Sequence, residues 1–123
     1  MNIYHPGAIA ESAVAAAPRR PAVAIAHEHD DARLVVFRID PGQQVATHTS
    51  ASSVFMTVVS GAGFVVGAEG ERAIGPGAIA AFEPHEPHGM RAGEERLVIA
   101  ALITPRPGAR RSRSRTSTTT PVW

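Results

Sequence analysis

Turn signals recur so often between residues 41 and 90 that only short elements fit between them. The stretch reads PGQQVATHTSASSVFMTVVSGAGFVVGAEGERAIGPGAIAAFEPHEPHGM. Pro41-Gly42, Gly61, Gly75-Pro76-Gly77 and the segment from Glu83 to Pro87 punctuate it, and Ala68-Glu69-Gly70-Glu71 is a hairpin signal. His48 and His88 stand near its two ends, each after a Pro/Gly-marked turn, with four short apolar runs between them. A chain that spaces two imidazoles in this way can fold them onto one another across a barrel.

The flanks repeat the pattern. Residues 8–17 (AIAESAVAAA) are alanine-rich and predict a short helix ended by Pro18. Residues 22–26 (AVAIA) predict a short strand, His27-Glu28-His29-Asp30-Asp31 a polar turn, and residues 33–40 (RLVVFRID) a β-branched strand. Strands are expected next at residues 45–50, 54–60, 64–67, 72–74, 78–82 and 88–91. Residues 96–103 (RLVIAALI) form a continuous apolar run, as in a strand buried on both faces; a short helix fits the same run. About eight or nine short strands at close spacing indicate an all-β sandwich or barrel.

Composition narrows the function. The chain of 123 residues suits one domain with a tail, and the absence of cysteine excludes disulfides and thiolate metal sites. All twelve basic residues are arginine, and five of them follow Thr104, where no acidic residue occurs. Residues 1–104 thus hold seven Arg against eleven Asp and Glu, a net of −4, which argues against a nucleic-acid-binding face. No apolar run approaches the roughly 20 residues of a membrane span. No basic segment opens the chain as a secretory leader would, so the expected location is cytoplasmic. Residues 105–123 are Pro, Arg, Ser and Thr with almost nothing apolar, and are expected to be a disordered tail.

Two motifs give the stretch a resemblance. Gly42, five residues, then His48, with Gly61 in register, is similar to the first motif of the cupin family. Gly77 and His88 keep the spacing of the second. The resemblance implies a double-stranded β-helix, or jelly-roll barrel. It would occupy residues 1–104, with residues 1–21 as an N-terminal arm carrying the short helix. It also implies a homodimer. Ser50 stands where the family has its second histidine and Val54 where it has a glutamate. Glu83, His85 and Ala92 replace the proline, glycine and asparagine of the second motif. Of the four usual metal ligands, His48 and His88 remain.

Residues two apart on a strand share a face. An inward His48 therefore takes Ser50 with it, and by the same resemblance Val54, Met56 and Val58, with His88 and Met90, line the lumen. Phe55, Thr57 and Val59 then lie outside, as candidates for contact with a second copy. Such a lumen suits a small ligand. His48 and His88 could hold a divalent metal (Zn, Fe, Ni or Mn). A third ligand would be His85 if the EPHEPH segment is polyproline-like, or Glu86 if it is extended.

His27-Glu28-His29 and His5 are expected in solvent-facing turns. No Ser-His-Asp set can be placed, since no aspartate follows Asp40, and no glycine-rich phosphate loop opens a helix. Two functions follow. One is a binding module for a small, partly apolar molecule, with a loosely held metal. The other is a metal-dependent enzyme of dioxygenase or isomerase type, using His48 and His88 with Glu86 or His85, or an imidazole as general base.

Overall fold

The structure, a computed structural model, describes residues 1–108. The part of the expected disordered tail from 109 to 123 lies outside the described residues. The described chain runs α1 (Pro6–Ser12), β1 (Ala22–His29), β2 (Ala32–Ile39), β3 (Gln44–His48), β4 (Ser53–Ser60), β5 (Gly63–Gly67), β6 (Gly70–Ile74), β7 (Ile79–Phe82), β8 (His88–Ala92) and β9 (Leu97–Thr104). A five-stranded sheet has the order β1-β2-β9-β4-β7, and a four-stranded sheet the order β3-β8-β5-β6. Every pairing is antiparallel.

The sheets meet through alternating side chains. Val35, Phe37 and Ile39 from β2, Val54, Met56 and Val58 from β4, and Ile99, Ala101 and Ile103 from β9 pack against Val65, Met90 and Ala92 of the smaller sheet. Burying each of the larger groups is worth about 1.5–3 kcal/mol. The run at 96–103 is a strand, and its lack of alternation has a plain cause. β9 lies between β2 and β4, and α1 covers part of its outer face, where Ala10, Val36 and Val98 form a second cluster. No helix among the described residues is long and apolar enough to cross a membrane.

Three local expectations need correction. The helix is Pro6–Ser12 rather than residues 8–17: Pro6 opens it, and the backbone is extended by Ala13. Ala15 instead bridges to Ala22, so tertiary pairing overrides alanine's helical preference. His27-Glu28-His29 is not a turn but the end of β1, paired with Leu34, Arg33 and Ala32. Tyr4 Oη lies 2.7 Å from His27 Nδ1, and Arg33 donates to Glu28 at 2.9 Å, so partners from elsewhere hold these polar residues in a strand. Finally, the barrel does not let go of the chain at Thr104. Ser52 Oγ donates to the Pro105 carbonyl at 2.7 Å, and Arg106 reaches Glu28 and Asp30, both at 3.4 Å.

Candidate functional site

His48 is the last residue of β3 and His88 the first of β8, and the two are direct partners in that ladder. Their rings lie 4.5 Å apart between centroids, inclined at 60°. His48 Nδ1 is 3.2 Å from the Ala46 carbonyl, and His88 Nδ1 is 3.0 Å from the Glu86 carbonyl. A carbonyl only accepts, so each Nδ1 carries the proton and each Nε2 keeps its lone pair. Both Nε2 atoms are buried. Burial pushes the His88 pKa below the ordinary 6.5; the Glu86 carbonyl opposes the shift, the neighbouring His48 adds to it, and the Glu86 charge opposes it. His88 is therefore neutral at pH 7, a hydrogen-bond acceptor or base rather than a cation.

The residues expected around this pair divide into two groups. Val54, Met56, Val58 and Met90 are buried, and all belong to the inter-sheet core. At their level side chains fill the barrel. Ser50 lies beyond the end of β3, and its hydroxyl turns to the Ser52 main chain, 3.4 Å from both nitrogen and oxygen. The ladder is irregular between Val45 and His48, so a two-residue period drawn through that bend does not carry over to Ser50.

Both candidate third ligands sit in the turn before β8, and the Glu86 carboxylate is near enough for its charge to act on His88. Residues 83–87 form a turn rather than a polyproline or extended segment. His85 has a φ of 69°, is exposed, and its amide donates to the Ser50 carbonyl at 2.7 Å. Glu86 Oε1 accepts the Glu83 amide at 2.9 Å, closing the turn on itself. Among the described residues no group of three or more His, Asp or Glu is placed to hold a metal ion. Two imidazoles fall short of the three protein ligands that a catalytic metal ordinarily needs. The donor set does not fit a tightly held metal.

Open space lies beside the pair. β6 and β7 are edge strands of their sheets, and between them runs a cleft of about 540 Å³. Val65, Arg72, Ile74, Ala80, Phe82 and Glu86 are among its walls. Phe82 belongs both to this cleft and to the imidazole site: it is buried, and its ring centroid is 5.5 Å from that of His88. The cleft was not legible in the sequence, because pattern does not say which strands become edges. Phe82 itself had a signal, as the aromatic residue that closes the AIAAF run.

Comparison with known proteins agrees with this architecture. The family model described as Cupin domain matches residues 35–103. An uncharacterized conserved protein with a double-stranded β-helix domain from Klebsiella pneumoniae superposes with a TM-score of 0.73 at 24% identity, covering 85% of this chain and 90% of that one. TT1209 from Thermus thermophilus gives a TM-score of 0.77 at 21% identity, covering 87% of this chain and all (100%) of the other. An RmlC-like cupin protein from Desulfovibrio desulfuricans gives 0.68 at 25% identity, over 76% and 91% of the two chains. No curated protein sequence gives a significant match.

Proposed function

The chain belongs to the cupin domain family, and from that premise we propose that it is a binding protein for a small, partly apolar molecule. The ligand enters the cleft between β6 and β7 and rests against Phe82. One observation carries this reading: the cleft of about 540 Å³ is lined by Phe82, whose ring centroid lies 5.5 Å from that of the buried His88. Its lining is mixed: Val65, Ile74 and Phe82 stand beside Glu69, Arg72 and Glu86, which suits a small molecule with polar groups as well as an apolar part.

The imidazole pair, with Val54, Met56, Val58 and Met90 around it, forms the inner support of the site. Ser50 borders the same end through its bond with the His85 amide. A divalent metal on two imidazoles alone would exchange readily, and binding in the cleft does not depend on one. The protein works as a homodimer in this reading, paired through the outer face of the larger sheet.

A titration followed by heteronuclear NMR with a set of small aromatic and aliphatic fragments tests the proposal. Amide shifts should move at Phe82, Arg72 and Gly67. Phe82→Trp, which fills the cleft from its floor, should abolish them. If bound fragments shift only residues elsewhere, or if Phe82→Trp binds them unchanged, the cleft is not the ligand site.

A further inference from the structure

Arg72 stands where the sandwich would ordinarily place an apolar side chain. It pairs with Val65 across β5–β6, and Val65 pairs with Met90, so the three share the face that looks into the core. Ile74, two residues on, also lies on that face and packs against the core. Arg72 thus occupies an inward position at the edge strand and lines the cleft.

Its charge is unanswered. Among the described residues, Arg33, Arg91, Arg96 and Arg106 each reach a carboxylate, and Arg38 donates to the carbonyls of Ala10 and Ala13. Arg72 makes no ion pair among the described residues. A guanidinium presents a planar fork that fits a carboxylate with two parallel hydrogen bonds. Two acidic residues, Glu69 and Glu86, also border the cleft. They oppose a purely anionic ligand and favour one that carries donors besides its acid group. The apolar share of the wall, Val65, Ile74 and Phe82, requires a hydrocarbon body as well.

We propose that the cleft takes a small carboxylic acid bearing a hydroxyl or amine and an apolar side group, with its carboxylate on Arg72. This rests on the binding function proposed above and names its ligand class. Arg72 is the specificity-determining residue, and Phe82 supplies the apolar contact.

Calorimetry with 3-phenyllactate and its neutral amide, 3-phenyllactamide, tests it. The acid should bind about tenfold more tightly than the amide, since a charge-assisted pair is lost in the amide. Arg72→Leu should shrink that preference to about twofold or less, and Arg72→Lys should keep part of it. Arg72 is exposed on an edge strand, so these variants retain the fold. Equal affinity for acid and amide in the parent protein overturns the ligand class, while the cleft reading survives if Phe82→Trp still blocks both. A preference for the acid that persists in Arg72→Leu overturns the role of Arg72. Acid binding that Phe82→Trp leaves untouched overturns the cleft itself.

Discussion

His48 and His88 face each other across the β3–β8 ladder at 4.5 Å, each with its Nδ1 held by a main-chain carbonyl two residues before it. That arrangement leaves His88 neutral and makes its protonation costly. The folded pKa lies below the ordinary value of 6.5, with burial the main cause. The unfolded chain therefore binds the proton first as pH falls. Stability should be at its full level above about pH 6.5 and decline below it, until the folded pKa is passed. Urea midpoints measured between pH 8 and pH 5 should show this decline, and His88→Gln should flatten it. An equal decline in the variant would assign the effect to other groups.

Phe82 lines the cleft and has its ring centroid 5.5 Å from that of the buried His88. Removing its ring in Phe82→Ala should cost about 3 kcal/mol, the low end for a buried phenylalanine because the strand is at an edge. It should also open His88 to solvent. Acylation of individual histidines by diethylpyrocarbonate, mapped by mass spectrometry, should then rise at His88 and stay constant at the exposed His5. Unchanged protection of His88 alongside the loss of stability would show that another group shields it.

The sequence and the structure agree where a regular period applies and part where it breaks. The turn signals and β-branched runs are local properties, so the strands from Ala32 onward fall within a residue or two of expectation. Val54, Met56 and Val58 alternate within one regular strand, and their shared inner face was legible for that reason. Ser50 was not, because the bend before His48 resets the period. His85 was not, because its left-handed backbone conformation is rare for a residue with a side chain and no pattern announces it. The cleft wall at Arg72 depends on strand order, which alternation cannot supply. Nor could pattern reveal that His27 and Glu28 find partners in Tyr4 and Arg33.

Two glycines with positive φ should respond differently to alanine. Gly61 has φ 79°, and a Cβ there would collide with the Arg96 carbonyl. Gly42 has φ 86°, and a Cβ there would meet nothing within 4 Å. Gly42→Ala incurs only the left-handed penalty, about 1 kcal/mol. Gly61→Ala must also displace main chain at the start of β9, and should cost more than about 2 kcal/mol. Equilibrium urea unfolding of the pair decides; equal losses would mean that the loop before Leu97 yields freely.

The outer face of the larger sheet carries an apolar row. Leu34 pairs with Leu102, Leu102 with Phe55, and Phe55 with Ala81, so the four lie side by side across β2, β9, β4 and β7. Phe55 and Leu102 are each 40% exposed. A row of this kind suits a second copy of the same sheet across a two-fold axis. Sedimentation velocity should find a dimer, and Phe55→Lys with Leu102→Lys should convert it to monomer with the strand content unchanged by circular dichroism. A monomeric parent protein would refute the pairing.

The C-terminal edge of the domain can be located by where the chain stops contributing to stability. Pro105 accepts a hydrogen bond from the buried Ser52, and Arg106 bridges Glu28 and Asp30 beside the Glu28–Arg33 pair. The arginines beside Glu28 hold its carboxyl below the usual range, Arg33 more strongly than Arg106. The exposed ion pairs should add little, but the Ser52 hydroxyl loses its acceptor if the chain ends too early. A chain cut after Thr104 should therefore be less stable than one cut after Gly108 by about 1–3 kcal/mol, chiefly through Ser52. Ser52→Ala should narrow the gap between the two truncations, because the serine no longer needs Pro105. Equal melting temperatures for both cut chains would put the boundary at Thr104 after all, and would reduce the Ser52–Pro105 contact to a bystander.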